Sequence, residues 1–415
     1  MADENTSGPV KRRVVSKEER ERRIKAARRK KITLRVVFML IAIAIIIVVI
    51  SLFISLGKAV KKLTDGSSGA SKYSCATFQL RNAGSGEIIS NGNNIFIYND
   101  GTLSCVRSTG ALVWSERIGG TDVRVEAYQS GIVVYEVLGN VIRCFDDTGL
   151  LWERTEEAPV RLVELNPSSS NAIICTEPED CLSKVIYIST KTKQSVAEPL
   201  LEKKYTFNYV ISAAISPGGK DIAIAELADS ADAASTRVSV IDVSSGRSFF
   251  SRLLENEVCP YCAFAGESNL AIAGRKNAYI VEKIDTTNAR AARFSSLVTL
   301  GDSDREVISM ITAKNNVALA IGDGDGKSDI TVFEVGSGSG RTVSVPRTIK
   351  GFMSCLDGTF AVYTQNDFMV FDFEGNKLAI CDDKLDIQYI SNGGGGHYVT
   401  NGENGTIVVN VRKAG

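Results

Sequence analysis

The sequence has little of the side-chain chemistry that enzymes and metal sites use most often. It contains one histidine, His397, among 415 residues. Histidine-based zinc sites usually need several such ligands, and a Ser-His-Asp triad needs a histidine beside its nucleophile. A single histidine, which follows a run of glycines, is too few for a histidine-based zinc site and is not placed beside a recognisable nucleophile for a catalytic triad. We therefore assign no catalytic residue and keep catalysis as the alternative to a binding role.

Beyond residue 72 the chain also lacks any amphipathic helical pattern of ten or more residues. Short apolar runs stand there between Gly, Asn, Asp and Ser, as is typical of strands separated by tight turns. Examples are Asn94–Tyr98, Gly131–Tyr135, Asp221–Ala225, Phe360–Tyr363 and Thr406–Asn410. This pattern predicts an all-β domain over residues 73–412.

One apolar run differs from all the others in its length. Val36–Leu56 contains no charged residue, and at about 1.5 Å per helical residue it spans a hydrocarbon core of about 30 Å. A cleaved signal peptide, the alternative, usually has an apolar region of about 7–15 residues behind a short basic start. We therefore predict an uncleaved signal anchor at residues 36–56, which is the contact of the chain with the lipid bilayer.

The charges beside this run predict its orientation. Residues 1–35 hold thirteen Lys/Arg and five Asp/Glu, whereas the other flank offers Lys58, Lys61 and Lys62. The positive-inside rule predicts a cytoplasmic tail at 1–35, a linker at 57–72 and a domain outside the cell membrane. The remainder of the chain then has 35 basic and 43 acidic residues. An acidic outer domain argues against a nucleic-acid ligand, because phosphate binding needs clustered Lys/Arg.

An internal repeat organises the outer domain. Cys105–Gly110 aligns with Cys144–Gly149, and Ile241–Gly246 and Val370–Gly375 share the same apolar-x₄-Gly frame. Each glycine is expected to close a hairpin turn, and each first residue to pack in the core. The 265 positions from Gly110 to Gly375 divide into six steps of about 44, within the period of about 40–50 residues of four-stranded propeller blades.

The repeat predicts a ring that its two ends close together. Units begin near Glu87, Val123, Leu162, Asn208, Val258, Glu306, Lys350 and Asp386. The last unit has room for three strands, and Tyr73–Leu80 supplies a fourth. Such closure leaves no exposed terminal sheet edge. We predict a β-propeller of eight blades, with seven as the alternative, because the length fits either.

Two stretches carry a resemblance to known repeats. Asp100–Trp114 and Gly139–Trp152, DGTLSCVRSTGALVW and GNVIRCFDDTGLLW, resemble quinoprotein-type (PQQ-like or WD40-like) repeats, in which a strand, a Gly turn and a Trp strand recur. With the basic tail and anchor, the chain is similar to an uncharacterised family of membrane-anchored propellers from Gram-positive bacteria. The resemblance covers about Tyr73–Arg412 and implies a fold and an envelope location. It implies no reaction, since propellers host enzymes and binding scaffolds alike.

An acidic loop is the candidate metal site. In Ile321-Gly-Asp-Gly-Asp-Gly-Lys-Ser-Asp329, the carboxylates Asp323, Asp325 and Asp329 are spaced like hard oxygen ligands around a turn. The loop resembles the calcium loops of FG-GAP-type propeller repeats, although Ile321 stands where those loops have their first acidic ligand. The alternatives are calcium binding and a solvated acidic hairpin.

The nine cysteines all follow the predicted anchor, so an odd one is left over in any complete pairing. Cys259-Pro-Tyr-Cys262 has the spacing of a redox pair, but its apolar flanks favour a blade strand, and hence a local disulfide or two packed thiols. Cys175 and Cys181 flank a polar turn, where a cross-strand disulfide is the expectation. An outward location permits such bonds.

These observations favour a membrane-anchored, extracytoplasmic binding or scaffold module for an envelope protein or a glycan. The alternatives are an envelope redox or hydrolytic enzyme of quinoprotein type, and a sensor that signals to the basic tail. A tryptophan exposed at the mouth of the ring would favour a glycan, whereas clustered acids there would favour cations.

Overall fold

Four-stranded antiparallel sheets are the repeating unit of the fold. This computed structural model describes residues 73–413, except 80–86, 92–93, 108–109, 129–130, 167–168, 192–195, 229–233, 285–291, 324–325, 338, 355–357, 382–386, 395–396 and 403–404. The predicted tail, anchor and linker lie outside the described residues. In the part of the chain that is described, no helix is long and apolar enough to cross a membrane.

The strands form eight sheets of four. In seven sheets the four strands are consecutive along the chain, whereas the eighth combines the last three strands with the first one. The first four blades contain β2 (Glu87–Asn91), β3 (Asn94–Asn99), β4 (Thr102–Arg107) and β5 (Leu112–Arg117); β6 (Val123–Tyr128), β7 (Gly131–Glu136), β8 (Val141–Asp146) and β9 (Gly149–Thr155); β10 (Val160–Leu165), β11 (Asn171–Thr176), β12 (Ser183–Ser189) and β13 (Leu201–Tyr205); and β14 (Tyr209–Ile215), β15 (Asp221–Ala228), β16 (Ser235–Asp242) and β17 (Ser248–Leu254).

The last four blades contain β18 (Tyr261–Phe264), β19 (Leu270–Ala273), β20 (Asn277–Glu282) and β21 (Arg293–Thr299); β22 (Glu306–Ala313), β23 (Asn316–Gly322), β24 (Ser328–Glu334) and β25 (Gly340–Val345); β26 (Gly351–Ser354), β27 (Thr359–Tyr363), β28 (Phe368–Asp372) and β29 (Lys377–Cys381); and β30 (Ile387–Gly394), β31 (His397–Gly402) and β32 (Gly405–Lys413) with β1 (Tyr73–Gln79). The first strands of neighbouring blades lie beside one another, as in a propeller.

The closure predicted from the sequence is confirmed. β1 pairs with β32 in antiparallel register, from Tyr73 opposite Lys413 to Gln79 opposite Ile407. β30 in turn lies against β2 of the first blade, so the last sheet joins the two ends of the ring. The predicted eight blades are confirmed over the seven of the alternative, because the strand from the N-terminus completes an eighth sheet.

Burial changes from the second strand of a blade to the fourth. Second strands such as β7 and β11 are buried on both faces, because a neighbouring blade covers each face, and their sequences are correspondingly continuous apolar runs. Fourth strands such as β13, Leu-Glu-Lys-Lys-Tyr, alternate between more and less exposed positions. The core therefore lies in the spaces between blades, as seven separate hydrophobic clusters in the described residues.

The repeat found in the sequence corresponds to the third strand of a blade and the turn after it. The four first residues, Cys105, Cys144, Ile241 and Val370, are all buried. The four glycines have positive φ angles of 83°, 117°, 67° and 76° in chain order, which glycine adopts without steric cost. The predicted hairpin turns and the predicted core column are thus confirmed.

Side chains of one blade donate hydrogen bonds to backbone carbonyls near the next blade. The Tyr98 hydroxyl donates to the Gly119 carbonyl at 2.7 Å, the Tyr187 hydroxyl to Gly219 at 2.8 Å, and the Trp114 indole to Asp146 at 2.9 Å. These aromatic side chains pack between two blades and also satisfy their own polar atoms. They tie neighbouring blades at places where no strand pairing connects them.

Candidate binding face

The strand order gives the ring two different faces. We use "start face" for the face at which the first strand of each blade begins. It holds the connections between successive blades and the turns between second and third strands. The "end face" holds the other two turns of each blade. Connections on a rigid scaffold are where binding residues are most often found, so each face is a candidate.

Carboxylates hold the connections of the start face in place. Glu136 accepts a hydrogen bond from the Thr121 amide at 2.9 Å, and Glu226 accepts one from Asn208 at 2.7 Å. Glu257 accepts three, from the Asn277 amide, the Asn277 side chain and the Tyr279 hydroxyl, at 2.8–3.0 Å. Part of the acidic charge of this domain is therefore structural, because these carboxylates bind backbone and side-chain donors of the chain itself.

A patch of exposed apolar side chains beside one arginine spans blades 2 to 4 on the start face. Its members, Leu138, Arg161, Phe207 and Tyr209, are defined here as the start patch. The Leu138 amide donates to the Val160 carbonyl at 2.8 Å, and the guanidinium of the next residue, Arg161, lies 5.7 Å from the Tyr209 ring centre. Phe207 is 84% exposed, Leu138 62% and Tyr209 39%. Aromatic and arginine side chains are enriched at protein interfaces, so this composition favours a protein partner.

A charged cleft of about 650 Å³ lies beside the start patch, between blades 2 and 3. Its wall contains three ion pairs: Arg154 with Glu156, Lys184 with Glu202 at 3.1 Å, and Lys204 with Asp180 at 2.5 Å. The turn between β11 and β12 supplies Pro178, Glu179 and Asp180 to the wall of the cleft, and its Glu177 forms an ion pair with Arg161 of the start patch. The cleft and the patch thus share one supporting turn.

The candidate calcium loop lies on the start face, in the turn between β23 and β24. Asp323 accepts a hydrogen bond from the Lys327 amide at 3.1 Å. Asp329 accepts from Arg305 at 2.5 Å and from Ser344 at 2.6 Å. Burial alone would raise the pKa of Asp329, but the hydrogen bonds from Ser344 and Arg305 and the charge of Arg305 lower it. Asp325 lies outside the described residues. A calcium ion on Asp329 would have to replace Arg305, and calcium binding stays a prediction.

The predicted cysteine pairs are free thiols in the structure. Cys175 lies in β11 in the core between blades 3 and 4, whereas the Cys181 thiol donates to the Ser183 carbonyl at 3.4 Å. Cys259 and Cys262 both belong to the hydrophobic core between blades 4 and 5. Cys259 and Cys262 are therefore two packed thiols, which was the alternative to a local disulfide. The structure also has no bond between Cys175 and Cys181, where a disulfide was expected.

The thiol pKa values also differ from those of a redox pair. Burial, followed by the charge of Glu257, raises the pKa of Cys259 to about 12. Burial raises the pKa of Cys262 as well. Redox motifs lower the pKa of the attacking thiol, because the thiolate is the nucleophile. Cys259 and Cys262 have the opposite shift, which fits a role in packing.

Both tryptophans are on fourth strands at the outside of the ring. Trp152 in β9 is 3% exposed, and the half-buried Trp114 in β5 stacks on Phe145 with ring centres 5.5 Å apart. The aromatic side chains of the start patch are instead Phe207 and Tyr209. Neither tryptophan is thus exposed at the mouth of the ring, the position that would have favoured a glycan.

Two carboxylates stand on neighbouring inner strands, Glu126 on β6 and Glu164 on β10. Burial, and then the charge of Glu126, raises the pKa of Glu164 from 4.5 to about 8. Between pH 4.5 and about pH 8 the folded chain keeps a proton on Glu164 that the unfolded chain has lost. The free energy of unfolding therefore falls as pH rises through this range. We expect Glu164→Gln to gain about 4 kcal/mol over wild type at pH 8 and close to nothing at pH 4.5. Urea unfolding of both proteins at the two pH values measures this difference, and a gain of equal size at both pH values would contradict the raised pKa.

Sequence reasoning missed the start patch. Its four members come from three separate places, which are the turn between β7 and β8, the beginning of β10 and the start of β14, and no local spacing relates these places. The nearest signal is the pair of aromatic residues Phe207 and Tyr209 in a polar segment between two strands. An aromatic residue in such a segment is compatible with a buried strand end as well as with an exposed loop.

Comparisons with known proteins give a fold neighbour and a family. No curated protein matches the chain. The beta-propeller domain of Myceliophteria thermophila Cps50 (Swd1), solved by crystallography, is similar with a TM-score of 0.48 and 11% sequence identity, over 80% of this chain and 97% of that chain. The sequence pattern of a family described as "Family of unknown function (DUF5711)" matches residues 70–411. Since this match covers most of the sequence, the chain belongs to the DUF5711 family.

Proposed function

We propose that the protein is a membrane-anchored binding module whose ring presents the start patch to an envelope protein outside the cell. The observation that carries this proposal is the exposure of Phe207, Leu138 and Tyr209 together beside Arg161. Large apolar side chains that stay exposed as a group mark interaction sites in soluble domains. Aromatic and arginine side chains supply much of the binding energy of protein interfaces.

The anchored location rests on the sequence. The uncharged run Val36–Leu56 and the excess of basic residues before it support an anchor with a cytoplasmic tail. A linker of about sixteen residues would keep the ring within some tens of ångströms of the bilayer, given about 5–6 Å times the square root of the residue number for a flexible chain. The ligand would then be gathered at the cell surface.

Site-specific photo-crosslinking in intact cells tests the binding role. A photoreactive phenylalanine analogue replaces Phe207 in one strain and Leu112 in another. Leu112 is the matched control, since it is 64% exposed but lies on the outer strand β5. We expect one dominant protein adduct from position 207 and none of the same mass from position 112. Adducts from position 112 alone, or no adduct from either, would contradict the proposed surface.

The same cells test the location. Protease added outside should digest the ring and abolish the adduct while leaving the N-terminal tail intact. For the isolated partner, Phe207→Ala should weaken binding at least tenfold, or about 1.4 kcal/mol, while Leu112→Ala leaves it unchanged. Because Phe207 is 84% exposed, its removal should not change the thermal unfolding temperature, which separates lost binding from lost folding.

A further inference from the structure

One cysteine differs from the other described cysteines. Cys381, the last residue of β29, is disulfide-bonded, whereas six others form no disulfide: Cys105, Cys144, Cys175, Cys181, Cys259 and Cys262. The chain has nine cysteines. Within the chain, the partner of Cys381 must therefore be Cys75 or Cys355.

Cys355 lies outside the described residues, but the residue before it, Ser354, is placed far from Cys381. Ser354 ends β26, the first strand, while Cys381 ends β29, the fourth strand. Three strand spacings of about 4.8 Å separate first and fourth strands, or about 14 Å. Cys381 is also opposite Phe368, at the end of the blade where β26 begins, whereas Ser354 is at the other end of β26. The Cα atom of Cys355 can be only about 3.8 Å from that of Ser354. Disulfides need Cα atoms within about 7 Å.

Cys75 lies on a strand that neighbours β29. It is the third residue of β1, opposite Val411, and β1 contacts β29 although they belong to different sheets. The buried Cys381 side chain packs in the same cluster as Ile387, the first residue of the closing blade. Its side chain therefore lies in the space between blade 7 and the blade that contains β1.

Blades 4 and 5 show the geometry of two successive outer strands. Arg252, the fifth residue of β17, lies over the ring of Phe294, the second residue of β21, at 4.8 Å. The end of one outer strand thus approaches the beginning of the next. Cys381 is the fifth residue of β29, and Cys75 is near the beginning of β1, so the two cysteines occupy comparable positions.

We infer that a disulfide between Cys75 and Cys381 fastens the N-terminal strand to the seventh blade and locks the ring closed. Its formation removes two protons and two electrons from two thiols. A disulfide oxidant accepts them; oxidised glutathione does so by becoming two glutathione thiols. The bond would close a loop of 307 residues, from Cys75 to Cys381, and long loops are those whose cross-linking constrains the unfolded chain most. Disulfides persist in oxidising compartments, which agrees with the proposed outer location but does not depend on it.

Peptide mapping of the full-length chain tests the pairing. The protein is purified in detergent with oxidised glutathione, unfolded with N-ethylmaleimide present, digested and analysed by mass spectrometry. We expect one peptide pair that joins Cys75 to Cys381 and separates on reduction, with N-ethylmaleimide on the other seven cysteines. A Cys355–Cys381 pair, a link between two chains, or N-ethylmaleimide on Cys381 would overturn the inference.

Three serine variants measure what the bond does. Reductant should lower the thermal unfolding temperature of wild type by about 5 °C. Cys75→Ser and Cys381→Ser should show the lower value without reductant and no further change with it, while the control Cys355→Ser should respond like wild type. A response to reductant that persists in Cys75→Ser would count against the pair. If a variant does not fold, the mapping of wild type still decides the pairing.

Discussion

Deletion of Tyr73–Gln79 is expected to abolish the cooperative unfolding transition of the ring. All seven residues of this strand pair with Ile407–Lys413, so the deletion exposes a long edge of β32 and removes the outer strand of the closing blade. The loss should exceed about 5 kcal/mol, a large part of the stability of a typical domain. Exposed strand edges also pair between molecules, so aggregation should rise. Circular dichroism during heating and light scattering at 25 °C measure the two effects.

A deletion of equal length in the predicted linker, residues 60–66, is the matched control and should leave the transition unchanged. A peptide with the sequence of Tyr73–Gln79, supplied separately, should restore part of the transition by adding a strand to the open edge. A normal melting curve after deletion of the strand would show that the ring does not depend on this closure. Restoration by a scrambled peptide would show that the effect is not due to strand pairing.

Tyr187→Ala is expected to destabilise the ring by about 3–5 kcal/mol, as large-to-small substitutions of buried aromatic residues do. Tyr187 is fully buried in the core between blades 3 and 4 and is among the largest side chains that the described residues bury completely. Its hydroxyl donates to the Gly219 carbonyl at 2.8 Å, which ties the turn of the next blade. The substitution therefore removes packing and a bond between blades together.

Tyr187→Phe separates these two contributions. It keeps the ring and removes only the hydroxyl, so its expected cost is about 1 kcal/mol. Urea unfolding followed by the fluorescence of Trp114 and Trp152 measures both variants. An equal cost for Phe and Ala would mean that the hydrogen bond, and not the packing of the aromatic ring, holds the two blades together.

The number of blades and the closure of the ring could be predicted from the sequence, because both follow from the number of strands and turns along the chain. Strands of about six residues and glycine turns recur, and an isolated strand faces an incomplete last unit. The unit boundaries were less accurate: the first strands begin at Val160 and Tyr261 where Leu162 and Val258 were predicted. The number of residues per blade varies because the turns differ in length, as in the long turn from β12 to β13 within blade 3. An average period cannot place such insertions.

The candidate sites were harder to predict because their partners are distant along the chain. The spacing of Asp323 and Asp329 is visible locally, but Asp329 is bound by Arg305 from the preceding connection between blades. The spacing of Cys259 and Cys262 is that of a redox pair, yet the first strand of blade 5 and the residues just before it place both thiols in a core. Local patterns contain the residue types of a site, whereas blade packing decides which atoms meet.

The pairing of β1 with β32 also has a consequence for how the protein is made. Tyr73 and Lys413 are 340 positions apart, and a ribosome adding about 5–20 residues per second needs about 17–68 s to travel between them. The first strand of the ring to leave the ribosome is thus the last to find its neighbour. During that time the first and last blades of the incomplete ring have open sheet edges. A chain whose synthesis ends before β32 is made keeps these edges open. Slow or interrupted synthesis should therefore yield aggregates more readily than an amino-acid substitution within a middle blade does.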